Sequence, residues 1–270
     1  MIETDSSVAQ ISRTSMASLY IELLFNDNVM ASGTAFEYLH NGDHYLVTAW
    51  HCFTGRHPDT NKFLGEYSIE PDEVRVFHRS GMNLGQTGLG QFARVDYPLV
   101  DEALKPVFYI HPEHGKSIDI AVLPIDRSNL LGILHIPLQS SEQYPLQVAD
   151  DLSIVGYPFG FDESSKLPVW ARGTVASEPA VPYKNLPRFL IDSRTRKGQS
   201  GSPVVRYYAP GTLIPQTKQR AAETGVLFAG YEEPIVRFIG IYTGRVDSES
   251  DLGYVWHKTA IDEICEAKVH

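Results

Sequence analysis

From Ser18 onward, short apolar runs alternate with polar, turn-forming clusters. "LYIELLF", "GTAFEYL", "HYLVTAW", "EVRVFH", "VFYI" and "DIAVLPI" occupy the first half. "LSIVGYPFG", "RGTVAS", "RFLID", "PVVRYY", "RFIGIYTG" and "GYVWH" occupy the second. These runs are short and rich in β-branched and aromatic residues, which predicts strands. "EYLHNGDHYLV" predicts a hairpin, with Asn41-Gly42 as its tight turn. Many short strands punctuated by turns predict antiparallel barrels or sandwiches. The last stretch breaks the pattern. "HKTAIDEICEAKVH" places Ala260, Ile261, Ile264 and Cys265 at helical spacing, with Thr259 as the expected cap and Glu263 nearby, and predicts a C-terminal helix docked on a barrel.

Residues 1–16 are polar and read as a flexible tail. Two stretches read as insertions. One is "TGRHPDTNKFLGEYSIEPDE" with "SGMNLGQTGLGQFARVDYPLVDEALKP"; the other is "APGTLIPQTKQRAAETG".

Composition narrows the partners. At 270 residues and 43% hydrophobic, the chain can bury one large core or two modest ones. Its net charge of −10 disfavours a nucleic-acid partner. No apolar run reaches the roughly 18 residues of a membrane span, so no membrane partner is expected. The N-terminus lacks the order of a secretory leader. Two cysteines, Cys52 and Cys265, are too few for a disulfide framework, and a reducing, cytoplasmic setting is expected.

Three motifs carry candidate chemistry: "VTAWHC", where His51 ends a strand run; "SIDIAVLPI", where Asp119 opens one; and "GQSGSP", with Ser200 and Ser202 between glycines. A serine hydroxyl is a poor nucleophile until a base takes its proton. An imidazole does this best near neutral pH, and a buried carboxylate fixes the ring and stabilises its charged form. The order 51, 119, 200 is neither the Ser…Asp…His of lipase-type hydrolases nor the Asp…His…Ser of subtilisins, and Ser202 breaks the G-x-S-x-G elbow. The residues alone leave both serines open.

"TAWHC", "DIAVL" and "GQSGSPVV" resemble the motifs of the trypsin-like, chymotrypsin-fold serine peptidases, bacterial members of the high-temperature-requirement and glutamyl-endopeptidase types above all. "IVGYPFG", "RGTVAS", "RFLIDSRTRKGQSGSP" and "IGIYTG" extend the likeness over most of residues 18–266. The resemblance implies an all-β fold of two antiparallel six-stranded β-barrels with a C-terminal α-helix. Residues 17–134 would form the barrel carrying His51 and Asp119, and residues 135–270 the barrel carrying the nucleophile, plus the helix. It implies a serine endopeptidase that hydrolyses a protein or peptide substrate through an acyl-enzyme, with no cofactor and no metal.

By the family's G-x-S-G-x-P pattern the nucleophile is Ser200. His51 is then general base and acid, Asp119 its orienting partner, and the N–H groups of Gly198 and Ser200 the oxyanion hole. The resemblance also implies a specificity pocket walled by residues 193–198, by Tyr242-Thr243-Gly244 and by "RVDSESDLG", with Arg194 at its floor and Thr195 beside it. A guanidinium there favours cleavage after Glu or Asp. The alternative is that Arg194, Arg196, Lys197 and Arg245 face water or pair with Asp192, Glu249 or Asp251. Two departures matter. Gln199 stands where activatable trypsins carry an aspartate, so activation by N-terminal cleavage is not expected. Cys52 follows His51, but the region "MASGTAF" offers it no partner.

Other readings stay in play. A catalytically inactive protease-like cleft would bind a protein partner, and an esterase could use the same three residues. His40 with His44, and His111 with His114, are expected to be structural rather than metal ligands. "GMNLGQTGLG" lacks a phosphate-loop pattern and is expected to be a loop. Cys52 is expected to be a buried thiol. A regulatory protein partner is expected to restrain a cytoplasmic peptidase, and the insertion at 206–236 is one place for it to act.

Overall fold

Alternation of apolar and polar residues carries the chain into two sheets that share a core. The computed structural model describes residues 12–65, 68–80, 91–127, 133, 136–139, 146–160, 167–216, 218–247 and 249–270. The first sheet contains β1 (Ser18–Phe25), β2 (Asn28–His40), β3 (Asp43–Thr48), β4 (Glu73–Ser80), β5 (Gln91–Pro98), β6 (Ala121–Pro124) and β7 (Leu138–Gln139). Its path is β5-β4-β1-β2-β3-β6, with β7 on β2. The second half begins with β8 (Asp151–Gly156), β9 (Val169–Val175), β10 (Arg188–Ser193) and β11 (Ser202–Tyr208). Next come the short β12 (Ile214–Pro215) and β13 (Phe228–Ala229), which pair only with each other. They are followed by β14 (Ile235–Arg245) and β15 (Leu252–His257). Six of these close into a barrel in the order β10-β15-β14-β11-β8-β9. The helices are α1 (Arg13–Ala17), α2 (Trp50–Thr54), α3 (Lys218–Thr224) and α4 (Lys258–Ala267). This is the all-β, double-barrel class with a C-terminal helix that the sequence predicts. No helix among the described residues is long and apolar enough to cross a membrane.

The predicted hairpin joins β2 to β3. Asn41 (φ 51°) and Gly42 (φ 90°) both take the left-handed conformation that a two-residue turn between twisted strands requires. α4 buries Ala260, Ile261, Ile264 and Cys265, as its spacing predicts. These residues join Phe36, Tyr38 and Val47 of the first sheet and Val205, Ile241 and Trp256 of the barrel in one core. Polar ties reinforce this docking: Tyr38 donates to Asp262 Oδ1 (2.5 Å), and His111 Nε2 lies 2.7 Å from Glu263. Three of the four expected structural histidines bond carboxylates, His40 to Asp262, His44 to Glu37 and His111 to Glu263, while His114 lies against the His111 ring.

Several expectations need correction. Residues 13–17 are helical, with Thr14, Ser15 and Met16 buried, where a tail was expected to run to residue 16; residues 1–11 lie outside the described residues. "QFARVDYP" is no insertion: it is β5, paired along the whole of β4. The rest of that glycine-rich stretch, residues 81–90, lies outside the described residues. "VFYI" makes only isolated bridges, Tyr109 to Val122 and Ile110 to Val269. His257, not Thr259, caps α4, and Glu263 serves His111 rather than a capping box.

Because one core cluster draws on both sheets and α4, Ile264→Ala should lower stability by about 2–5 kcal/mol while urea unfolding stays a single cooperative transition. Two separate transitions would contradict the shared core.

Candidate active site

The chain leaves β3 at Thr48 and turns at once into α2, which carries His51 in its first turn. The strand-end expected for His51 is therefore a short helix, closed by Gly55 in the left-handed conformation (φ 64°), whose N–H donates to His51 O (2.9 Å). Asp119 sits just before β6, between the fully buried Ile118 and Ile120. Both its oxygens serve one residue: Oδ1 accepts the His51 backbone N–H (3.0 Å), and Oδ2 lies 2.8 Å from Nδ1. A carboxylate needs a donor there, so the proton belongs on Nδ1, leaving Nε2 unprotonated in the neutral ring. Burial alone pushes the imidazole pKa down, but the Asp119 carboxylate and the adjacent Cys52 sulfur outweigh it and hold the ring well above its ordinary value of 6.5.

The loop that carries Ser200 runs from β10 to β11. Gly198 has φ 94°, and a Cβ on it would stand 2.3 Å from Tyr157 O, so both backbone angle and space demand glycine. Gly201 has φ 85°, and a Cβ there would stand 2.0 Å from Thr34 O. The loop is thus pressed against β2, and Thr34 receives it. Thr34 N–H donates to Ser200 O (3.0 Å), and its Oγ1 donates to Gly198 O (2.7 Å) while accepting Tyr157 N–H (3.0 Å). Its carbonyl accepts Thr48 Oγ1 (2.7 Å).

The N–H groups of Gly198 and Ser200 have no protein acceptor among the described residues. Lys197 O accepts Phe159 N–H (3.0 Å). A planar trans peptide points its C=O and N–H in opposite directions, so this bond turns Gly198 N–H away from Phe159. Gln199 is buried and accepts Arg196 N–H on its own Oε1 (2.9 Å), so a neutral side chain spans this turn. The Ser200 hydroxyl donates to Thr243 O (3.1 Å) rather than to His51.

His51 and Asp119 are joined directly, and Ser200 is bonded to Thr34 and Thr243. A Cβ at Gly33 would lie 3.3 Å from Cys52 Sγ and 3.6 Å from Ser200 O. Cys52 is a free thiol on α2 and is half-buried rather than the buried thiol expected.

The residues expected to wall a specificity pocket divide into two groups. Thr195 and Tyr242 are buried, with their hydroxyls hydrogen-bonded to each other, and the Tyr242 ring packs among Ile154, Phe189 and Val255 of the barrel core. Burial pushes the Tyr242 hydroxyl up to about 12, with Thr195 and Arg245 opposing. Thr243 is held by Trp256 Nε1 through its Oγ1 (3.0 Å), and Gly244 follows it on β14. Arg194, Arg196, Lys197 and Arg245 are exposed. None of them forms an ion pair with Asp192, Glu249 or Asp251 among the described residues, and Arg196 bonds Thr195 O (2.9 Å). No group of three or more His, Cys, Asp or Glu among the described residues is arranged to hold a metal. The sequence reading missed Thr34, Thr48 and Tyr157; a small-residue stretch, Ser32-Gly33-Thr34, was the only signal for the first.

The family model for the trypsin-like peptidase domain matches residues 33–214, well over half of the chain. No curated protein matches it in sequence. Among solved structures, a serine endoprotease from Yersinia pestis aligns at 12% identity and a TM-score of 0.52, covering 94% of this chain and 63% of that one. This chain therefore spans less than two-thirds of that protein's length. Deg5 aligns at 14% identity and a TM-score of 0.51, covering 92% of this chain and 87% of its own. At such identities the likeness shows the fold.

The space facing Cys52 gives a direct check on this geometry. In Gly33→Cys the new Cβ would stand near disulfide distance from Cys52 Sγ, so mild oxidation should join the two without unfolding. Thiol titration should then find Cys265 alone; a titratable Cys52 in the oxidised, folded variant would contradict the placement.

Proposed function

The chain belongs to the trypsin-like peptidase family, and on that premise we propose that it is a serine endopeptidase working through Ser200, His51 and Asp119. The observation that supports this reading is the commitment of both Asp119 oxygens to His51, which leaves Nε2 to act as the base. In the first step the Ser200 hydroxyl leaves Thr243 O and rotates to His51 Nε2. His51 takes its proton as Oγ attacks the scissile carbonyl carbon, and the oxyanion is received by the N–H groups of Gly198 and Ser200. The imidazolium then gives its proton to the leaving amine, and the carbon–nitrogen bond breaks. Water, deprotonated by the same ring, attacks the acyl-enzyme and releases Ser200 and the carboxylic acid.

Substrate choice follows from charge. Among the described residues, Arg194, Lys197 and Arg245 are exposed cations without ion-pair partners, in a chain of net charge −10. Local positive charge of this kind supports cleavage after an acidic residue. The buried Thr195–Tyr242 pair forms a rigid wall rather than a contact surface for that side chain. The reading as an inactive, partner-binding cleft has the Ser200–Thr243 hydrogen bond in its favour. A single side-chain rotation between staggered wells removes that obstacle.

A peptide library should be cut after Glu or Asp, and Arg245→Ala should reduce the preference for Glu over Gln about tenfold, the scale of one charge-assisted bond. A profile indifferent to acidic residues would sink the specificity claim alone. Ser200→Ala should lower kcat/KM by about 10⁴-fold or more. Catalysis needs the neutral ring, and the raised His51 pKa places its loss of a proton above pH 6.5. kcat/KM should therefore climb with pH through a midpoint above 6.5, and by NMR the His51 titration should move down in Asp119→Asn. An unmoved titration would show that Asp119 does not govern the base.

A further inference from the structure

Thr34 is wholly buried, and each of its polar atoms is hydrogen-bonded to a neighbour that belongs to the cleft or supports it. The two N–H groups that face the cleft belong to the peptide units 197–198 and 199–200. Between them lies one unit, 198–199. The angle between the two donors is therefore set by that single peptide and the torsions at Gly198 and Gln199. Gly198 is the most permissive residue type, and nothing intrinsic keeps it at φ 94°. The carbonyl of the intervening unit, Gly198 O, is held by the Thr34 hydroxyl at 2.7 Å. On its far side Ser200 O is held by Thr34 N–H at 3.0 Å. The hydroxyl has one proton, committed to Gly198 O, so it must accept Tyr157 N–H through a lone pair. That second bond links it to the segment whose Phe159 N–H holds Lys197 O.

We propose that Thr34 is a positioning residue for the reaction: its hydroxyl sets the peptide between the two oxyanion donors and so aligns both with the developing charge. It touches neither substrate nor reacting atoms. Its effect falls on the transition state, because the donors meet a full oxyanion only there. The proposal rests on the serine-endopeptidase reading.

The test compares Thr34→Val, close in shape but without the hydroxyl, with Thr34→Ser, which keeps it. Three quantities are measured: kcat and KM on a cleaved peptide, the second-order rate of labelling by a fluorophosphonate, and the melting temperature. Thr34→Ser should stay within about threefold of the parent in both rates. Thr34→Val should lose roughly 10- to 100-fold in kcat with KM changed less than about threefold, the scale expected for misaligned donors. Its labelling should slow by a similar factor, because the phosphonyl oxygen uses the same two N–H groups. A folded Thr34→Val with parental kcat and only a lowered melting temperature would overturn the proposal, as would a Thr34→Ser as impaired as Thr34→Val. If Thr34→Val does not fold, Thr34→Ala set against Thr34→Ser decides the same question by the same readouts. A parent that never labels overturns the endopeptidase reading and this one with it. A parent that labels no faster than Thr34→Val overturns this one only.

Discussion

The cleft depends on a seam of hydrogen bonds at which β2 grips the loop between β10 and β11. Thr34 supplies that grip through its amide, on Ser200 O, and its hydroxyl, on Gly198 O, while its carbonyl is held by Thr48 of β3 and its hydroxyl also accepts Tyr157 N–H. Such groups, removed from water, must all find partners, since a buried unpaired donor or acceptor costs about 1–3 kcal/mol. The seam also explains the loop's composition. Two backbones approach so closely that only glycine fits at 201, and the turn at 198 requires both glycine's angle and its lack of a side chain. The seam brings the loop of the second half to rest against β2 of the first.

On the other side of the cleft the constraint is electrostatic. A carboxylate between Ile118 and Ile120 is expensive to bury unless paired and hydrogen-bonded. His51 answers it twice, through its amide and its ring. The same pairing holds the imidazole's proton affinity up, so the arrangement that makes Asp119 tolerable also makes His51 a strong base. Ser200 belongs to the seam, with its carbonyl on Thr34 and its hydroxyl on Thr243.

Much of this was legible in the sequence, where local chemistry decides. The Asn41-Gly42 turn and the apolar face of α4 follow from rules that act within a few residues. The errors came where tertiary contact overrides local pattern. "QFARVDYP" looks polar because β5 lies at the end of the sheet path, where much of its surface stays wet, so its pattern reads as an insertion although it pairs along β4. His51 follows a strand-like run, yet the chain turns into α2 to bring it over Asp119. The family resemblance implies His51 and Asp119 on one barrel and Ser200 on the other, but only the small-residue stretch Ser32-Gly33-Thr34 hinted at Thr34. Its importance lies in partners 123 and 164 positions away, Tyr157 and Gly198.

The central claim is that this seam presents Ser200 as a nucleophile to a base held by Asp119. The most direct measurement is intact-protein and peptide mass spectrometry after reaction with a fluorophosphonate. A single adduct on Ser200, absent from Ser200→Ala and strongly slowed in His51→Ala, is the result predicted. An unmodified parent, or an adduct that persists when Ser200 is replaced, would contradict it.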